Sequence, residues 1–317
     1  MARDFYDLQP ETVMDVTEEV GFQPTGEFLQ LNSYENRVFK IKLEDKSQIV
    51  AKFYRPGRWS REQILEEHQF LQELGAEGLD VNQPVVLKNK STLYEWQGIG
   101  VAFFPLFQGR AVSELLEGDW PRIGRLIARV HNVGELKQPE HRLWMTTEDH
   151  PNGWAALETL QEWLDPSLRT RYSKAASEIL ELYEETVDPG SFLRVHGDVH
   201  RGNLLQRDQT FFLVDFDDHV MGPAVQDLWM LFTEESEFEF ERDQFLAGYE
   251  ELRHFPQDQF AWIPLLRGFR ILGYAAWIAR RWSDPSFPRL FPDFSSYNYW
   301  AEETEALEKC LASFSQR

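Results

Sequence analysis

A chain of 317 residues with 24 Phe, 11 Trp, one cysteine and a net charge of -21 is long enough for two domains, or for one domain in two lobes around a sizeable core. The charge repels nucleic-acid phosphates with no basic stripe to counter it, and the lone Cys310 rules out intrachain disulfides and cysteine-built zinc sites. No apolar run reaches membrane-spanning length, the longest ending at Arg280 and Arg281, and Met1-Ala2-Arg3-Asp4 lacks an apolar signal region, so a cytoplasmic protein without nucleic-acid or membrane partners is expected. The acidic balance favours cationic partners, such as a basic protein segment, an amine or an amino sugar.

The first hundred residues read as a helix followed by strands. The polar stretch Leu31-Asn32-Ser33-Tyr34-Glu35-Asn36-Arg37 contains no glycine, and the chain has neither GxxxxGK[ST] nor GxGxxG. Ser33 and Asn36 still offer hydroxyl, amide and backbone donors to a phosphate, or form only a polar turn. Arg37 to Leu43 and Gln48 to Tyr54 alternate around Glu44-Asp45-Lys46-Ser47, which predicts a hairpin. Lys52 shares a face with Val50 and Tyr54, while Ile49, Ala51 and Phe53 take the other. A Lys in such a strand is either an edge residue with an exposed head or a charge that expects a buried anion.

The periodicity of Ser60 to Leu74 predicts a helix that supplies the anion. Glu67 has Ile64, Phe70 and Leu71 three and four positions away and points along the apolar stripe; Glu62, Glu66 and Glu73 lie nearer solvent. An inward Glu needs a cation. A Glu67–Lys52 pair would hold the Lys head against the phosphates of ATP.

Val81 to Glu95 predicts further short strands. Val101 to Phe107 is an apolar strand broken by Pro105, which cannot continue a central ladder. Residues 103–107, with Phe104 and Leu106, read as a connector between lobes and the floor of an adenine pocket, or as an edge strand ending in a turn. Beyond them the chain is mostly helical. Pro121 opens a helix striped by Ile123, Leu126, Ile127 and Val130, and further helices are predicted across 154–163, 167–187, 223–233, 241–252 and 260–282.

Within this helical half stands His196-Gly197-Asp198-Val199-His200-Arg201-Gly202-Asn203, and twelve residues after Asn203 comes Asp215. Leu204-Leu205-Gln206 and Phe211 to Val214 are apolar runs around a polar Arg207-Asp208-Gln209-Thr210 turn, which predicts a hairpin. Folding it about its middle sets Asn203 opposite Val214, and Asp215 one residue beyond. An amide oxygen and a carboxylate at one hairpin end suit Mg²⁺. An Asp, an Asn five residues on and an Asp closing an apolar strand is the order in which kinases position an acceptor hydroxyl and hold Mg·ATP. His196 reads as a brace for this loop.

On these residues, the chain resembles the aminoglycoside phosphotransferase and choline kinase superfamily. The blocks Ser33 to Val38, Ala51 to Pro56, Gln63 to Phe70, 196–205 and Pro223 to Trp229, with Asp284-Pro285, carry the resemblance across both halves. The longer SYENRV and PAVQDLWM blocks look like a bacterial Ser/Thr protein kinase within it. The resemblance implies an α+β, bilobal protein-kinase-like fold: residues 1–107 as a small antiparallel-sheet N-lobe ending in the hinge, residues 108–317 as a larger, mainly helical C-lobe. It implies ATP as co-substrate and Mg²⁺, with Asp198 as catalytic base, Asn203 and Asp215 on the metal, Asp215 thereby catalytic too, and Lys52 and Ser33 near ATP; Asn36, Glu67, Phe104 and Leu106 are placed around it by the local patterns above. It further implies action on proteins, itself included, in stress response; a monomer is expected, and a small-molecule acceptor such as an aminoglycoside, choline or a homoserine-like compound is the alternative. Asp217 stands where protein kinases have the Gly of DFG, and no APE segment follows, so no activation-loop switch is expected.

Overall fold

The structure is a computed structural model that describes Phe5, residues 8–232 and residues 238–316. Met1 to Asp4 and Thr233, the last residue of the expected 223–233 helix, lie outside the described residues. Helix α1 (Pro10–Glu19) precedes five antiparallel strands, β1 (Pro24–Leu31), β2 (Arg37–Leu43), β3 (Gln48–Phe53), β4 (Tyr94–Trp96) and β5 (Ile99–Pro105), in the order β1-β2-β3-β5-β4. Helix α2 (Arg61–Ala76) crosses between β3 and β4.

Alternation along β3 decides what each face of the sheet does. Ile49, Ala51 and Phe53 join Phe39, Ile41, Val101 and Phe103 in an apolar core under Val13 and Val16 of α1. Val50, Lys52 and Tyr54 take the other face, towards α2. Ser60 caps α2 in a reciprocal box with Gln63, a device worth about 1 kcal/mol. Its Ile64, Phe70, Leu71 and Leu74 are buried in a second core that continues into the helical half.

After β5, residues 106–109 lead to β6 (Arg110–Ala111), which pairs with β8 (Leu204–Arg207); β8 in turn pairs with β9 (Thr210–Leu213). The helices are α3 (Trp120–Glu135), α4 (Trp154–Leu160), α5 (Arg169–Thr186), α6 (Phe238–Tyr249), α7 (Ile263–Arg280), α8 (Phe287–Leu290) and α9 (Tyr297–Ser315), and β7 (Leu193–Val195) pairs with β10 (Val220–Gly222). No helix among the described residues is long and apolar enough to cross a membrane.

Four elements differ from expectation. Residues 81–93 are irregular, and only Tyr94–Trp96 forms a strand. Leu87 N–H donates to Ser91 in a polar turn, and a single bond from Val85 N–H to Phe103 ties the stretch to the sheet. Residues 224–227 make one 3-10 turn, because the Gln226 and Asp227 side chains reach back to the 196–197 backbone. Strand β1 escaped prediction because it is an edge strand, mostly exposed and without alternation. Helix α9, capped by Ser296, was not anticipated either.

Candidate active site

The 196–203 loop is held by a buried carboxylate. Asp227, fully buried, accepts from His196 N–H (2.7 Å) and Gly197 N–H (2.8 Å) and also faces His131 Nε2 (3.2 Å). Gly197 has φ 85°, and a Cβ there would lie 2.4 Å from the Asp218 carbonyl oxygen, so only glycine fits. His196 is a brace: its Nδ1 accepts from Asp198 N–H (3.3 Å), which puts the proton on Nε2 for the Val214 carbonyl (2.9 Å). The loop thereby fixes Asp198. Arg270 Nη1 donates to Asp198 Oδ1 (2.8 Å), and His200 Nε2 lies 3.4 Å from Oδ2. Burial pushes this carboxyl up, but His200 and Arg270 outweigh it and hold Asp198 below the usual carboxylate range.

The hairpin register is the expected one. Leu204 pairs Leu213, Arg207 pairs Thr210, and Val214 N–H donates to the Asn203 carbonyl (3.1 Å). Asn203 Nδ2 donates to the Asp198 carbonyl (2.9 Å), which turns the amide oxygen away from that contact. Asp215 adopts φ 63°, ψ 63°, a left-handed conformation uncommon outside glycine, and its side chain is 58% exposed into the cleft. Among the described residues no group of three or more His, Cys, Asp or Glu is arranged to hold a metal. A site completed by substrate phosphate and water needs only one or two protein carboxylates. The hard oxygens of Asn203 and Asp215 fit that description.

Lys52 and Glu67 meet as expected, with Nζ 3.6 Å from Oε1 and Glu67 only 2% exposed. Their setting is richer than a pair. Lys52 Nζ also lies 3.5 Å from Asp215 and 3.0 Å from Asp217. Asp217 Oδ2 takes Arg58 Nη1 (2.7 Å) and Asn36 Nδ2 (3.1 Å), while Arg142 reaches both the Asp217 carbonyl (2.6 Å) and Glu67 (3.4 Å). Burial alone would deprotonate Lys52, but Asp217 and Glu67 hold its pKa well above the ordinary value. Burial pushes Glu67 up to about 7 against the pull of Lys52.

Phe104 and Leu106 both line the cleft of about 1320 Å³ between the halves, and Leu106 lies just past the last ladder pair, Ile49 with Pro105. Val38 and Val50 of the sheet and Leu205 and Leu213 of the hairpin line it too, an apolar setting for a flat ring. Ser33 sits at its mouth, where its Oγ accepts from Asn36 N–H (3.1 Å). The Asn36 amide is engaged on both sides, by Asp217 and by Arg55 N–H (3.2 Å). Glu35 reaches the lower half: Oε1 meets Arg281 Nη2 (2.6 Å), and Oε2 meets Trp277 Nε1 (2.7 Å). Sequence reasoning assigned no role to Asp217, Arg58, Asp227 or Arg270. Asp217, in the Asp-Phe-Asp triplet two residues after Asp215, carried the one signal that could have been found.

The match to the phosphotransferase enzyme family (APH) spans residues 27–262, and the chain belongs to that family. Stress response kinase A of Escherichia coli (strain K12) is 36% identical over 302 residues, covering 95% of this chain and 92% of that protein. The serine/threonine protein kinase RdoA of Salmonella typhimurium (strain LT2) is 36% identical over 307 residues with the same shares. Among solved structures, an amicoumacin kinase in complex with AMP-PNP, Ca²⁺ and Ami superposes with a TM-score of 0.72 at 18% identity, over 94% of this chain and 93% of that one. A microcompartment-associated aminopropanol kinase gives 0.72 at 18% identity, over 97% and 99%. These structures bear out the bilobal α+β fold that the resemblance implied.

Proposed function

We propose that the chain transfers the γ-phosphoryl group of ATP to Ser/Thr hydroxyls of proteins. The observation that carries the reading is the meeting, in one cleft, of Lys52 paired with Glu67, Asp198 on a braced loop, and Asn203 and Asp215 at one hairpin end. The name of the RdoA relative supports a protein acceptor. The names of the two solved structures favour a small-molecule acceptor as the second reading, at fold level only.

Lys52 would face the phosphates and Ser33 would approach them from the loop it closes, a loop that Asn36 braces. Phe104 and Leu106 would flank the adenine. Asn203 and Asp215 would hold Mg²⁺, which supplies charge neutralisation at the phosphates. Asp198 would orient the acceptor hydroxyl. His200 and Arg270 hold this carboxylate below the usual range, and it takes the proton late, as a loose phosphoryl transition state allows. The oxygen–phosphorus bond to the acceptor forms as the bridging bond to ADP breaks, with its electron pair leaving on ADP. The division of the lobes after residue 107, a monomeric cytoplasmic state and a part in stress response complete the reading, the last resting on the relatives' names.

The test is incubation with γ-labelled ATP and Mg²⁺, with and without a test protein, beside Asp198→Asn. Label on the test protein or on the enzyme, lost in the variant, supports the reading. Unlabelled protein with ATP consumed only when amine-bearing small molecules are added favours the second.

A further inference from the structure

The acceptor side of the cleft is walled by α7. Arg270, Tyr274, Trp277 and Arg281 recur at helical spacing and line it, with Arg280 beside them. The lining carboxylates on this side are Asp198 and Glu35, since Glu67, Asp215, Asp217 and Asp218 gather around Lys52 and Arg58. Both are already engaged. Arg270 holds Asp198, and Glu35 is shared by Arg281, Arg55 and Trp277. An ammonium on the acceptor would meet carboxylates that already hold guanidinium partners.

An anion meets the opposite situation. The Arg270 side chain is 41% exposed, and among the described residues its one carboxylate contact is through Nη1. Arg280 is exposed, donates Nη2 to the Pro151 carbonyl (3.0 Å), and has no carboxylate partner among the described residues. Both keep N–H groups for a carboxylate or phosphate fork. In a chain of net charge -21, arginines on one helix facing a cleft make a local positive field. This runs opposite to the cationic preference that the overall charge suggests.

Spacing adds a length. Ten residues at ~1.5 Å rise set the backbones of Arg270 and Arg280 about 15 Å apart along the helix axis. That is the span of about four or five extended residues at ~3.3 Å each. Tyr274, exposed and stacked on Trp277 with centroids 5.5 Å apart, lies between them. Resting on the protein-acceptor reading, we propose that the acceptor is an acidic segment. Its Ser or Thr hydroxyl lies at Asp198, and an acidic side chain about four or five residues away is received by Arg280. The transfer step is unchanged: the hydroxyl oxygen bonds to the γ-phosphorus, ADP leaves with the bridging pair, and the hydroxyl proton passes to Asp198.

The test is a set of Ser peptides of one length, with Glu, Gln or Lys four and five positions to either side, assayed for kcat/KM. Alongside run hydroxy acids and amino alcohols as small acceptors. The Glu peptides should lead the Lys peptides at least tenfold. Arg280→Glu should reverse that ranking through KM, and Arg280→Lys should keep it. Peptides labelled without regard to charge, or basic ones preferred, would overturn the proposal and leave the protein-kinase reading standing. Hydroxy acids labelled with no peptide labelled would keep the anionic subsite and sink the protein acceptor. Amino alcohols alone, or no acceptor at all, would sink both.

Discussion

Lys52 Nζ is nearer to Asp217 (3.0 Å) than to Glu67 (3.6 Å). The carboxylate that stands in place of a glycine is thus the closest counter-charge of the lysine expected to face phosphate. It also gathers Arg58 and Asn36, so it joins the sheet, the 33–36 loop and the hairpin end.

Asp217→Asn should cost on the order of 3 kcal/mol, the usual penalty for breaking a buried charged pair. It should also weaken nucleotide binding, since Lys52 loses its nearest anchor. Denaturant titration and a nucleotide titration check the two parts. Unchanged stability and nucleotide affinity would show that Glu67 and Asp215 suffice to position the lysine.

Asp198→Asn should retain nucleotide affinity and lose transfer by roughly 10²–10⁴-fold. Turnover near that of the parent protein would remove Asp198 from the mechanism.

Because Asp198 is held below the ordinary range, it remains a carboxylate down to and below about pH 4. Its protonation therefore adds no acid limb to kcat/KM at neutral or mildly acidic pH. Arg270→Ala removes one of the groups that hold it down. An acid limb should then appear at higher pH than in the parent, and coincident profiles would show that His200 suffices.

Glu303 offers a pH test away from the cleft. Burial, with Glu302 beside it, pushes its carboxyl up to about 7. Its Oε2, the Tyr172 and Tyr299 hydroxyls and Trp300 Nε1 are buried without hydrogen-bond partners among the described residues. A carboxyl raised in this way favours the fold while protonated. The contribution is complete below about pH 4.5 and is lost as pH rises to about 7. Glu303→Gln should melt higher than the parent at pH 8 and no higher at pH 4. Parallel melting curves at both would refute it.

Gly197→Ala should be strongly destabilising, from both the positive φ and the clash with the Asp218 carbonyl. Thermal melting reads the loss, and a melting point within a degree of the parent would mean that the loop has another conformation open to it.

Much of the site was legible because it is local. The placement of Asn203 and Asp215 follows from strand counting across one short hairpin. Lys52 and Glu67 followed from face arithmetic on a strand and a helix that pack together. The rest depends on partners far along the chain: Asp217 lies 165 residues from Lys52, and Arg270 lies 72 from Asp198. No periodicity encodes such contacts. The 3-10 turn at 224–227 escaped for a related reason. Its side chains serve the 196–197 backbone, and that tertiary demand overrode the helical pattern.

Glu35 stands at the tip of the 33–36 loop and is tied to Arg281 and Trp277 below it, while Arg55 beside it meets Asp284 (3.2 Å). A flap anchored only at its base can lift by itself to release nucleotide. A flap latched at its tip cannot. With residues 106–109 as the proposed connector, the upper half would swing as a plate about them, or the latch would break first. The latch charges are mostly buried, so salt screens them little, and release of a nucleotide from beneath them should respond only weakly to ionic strength, whatever the acceptor is.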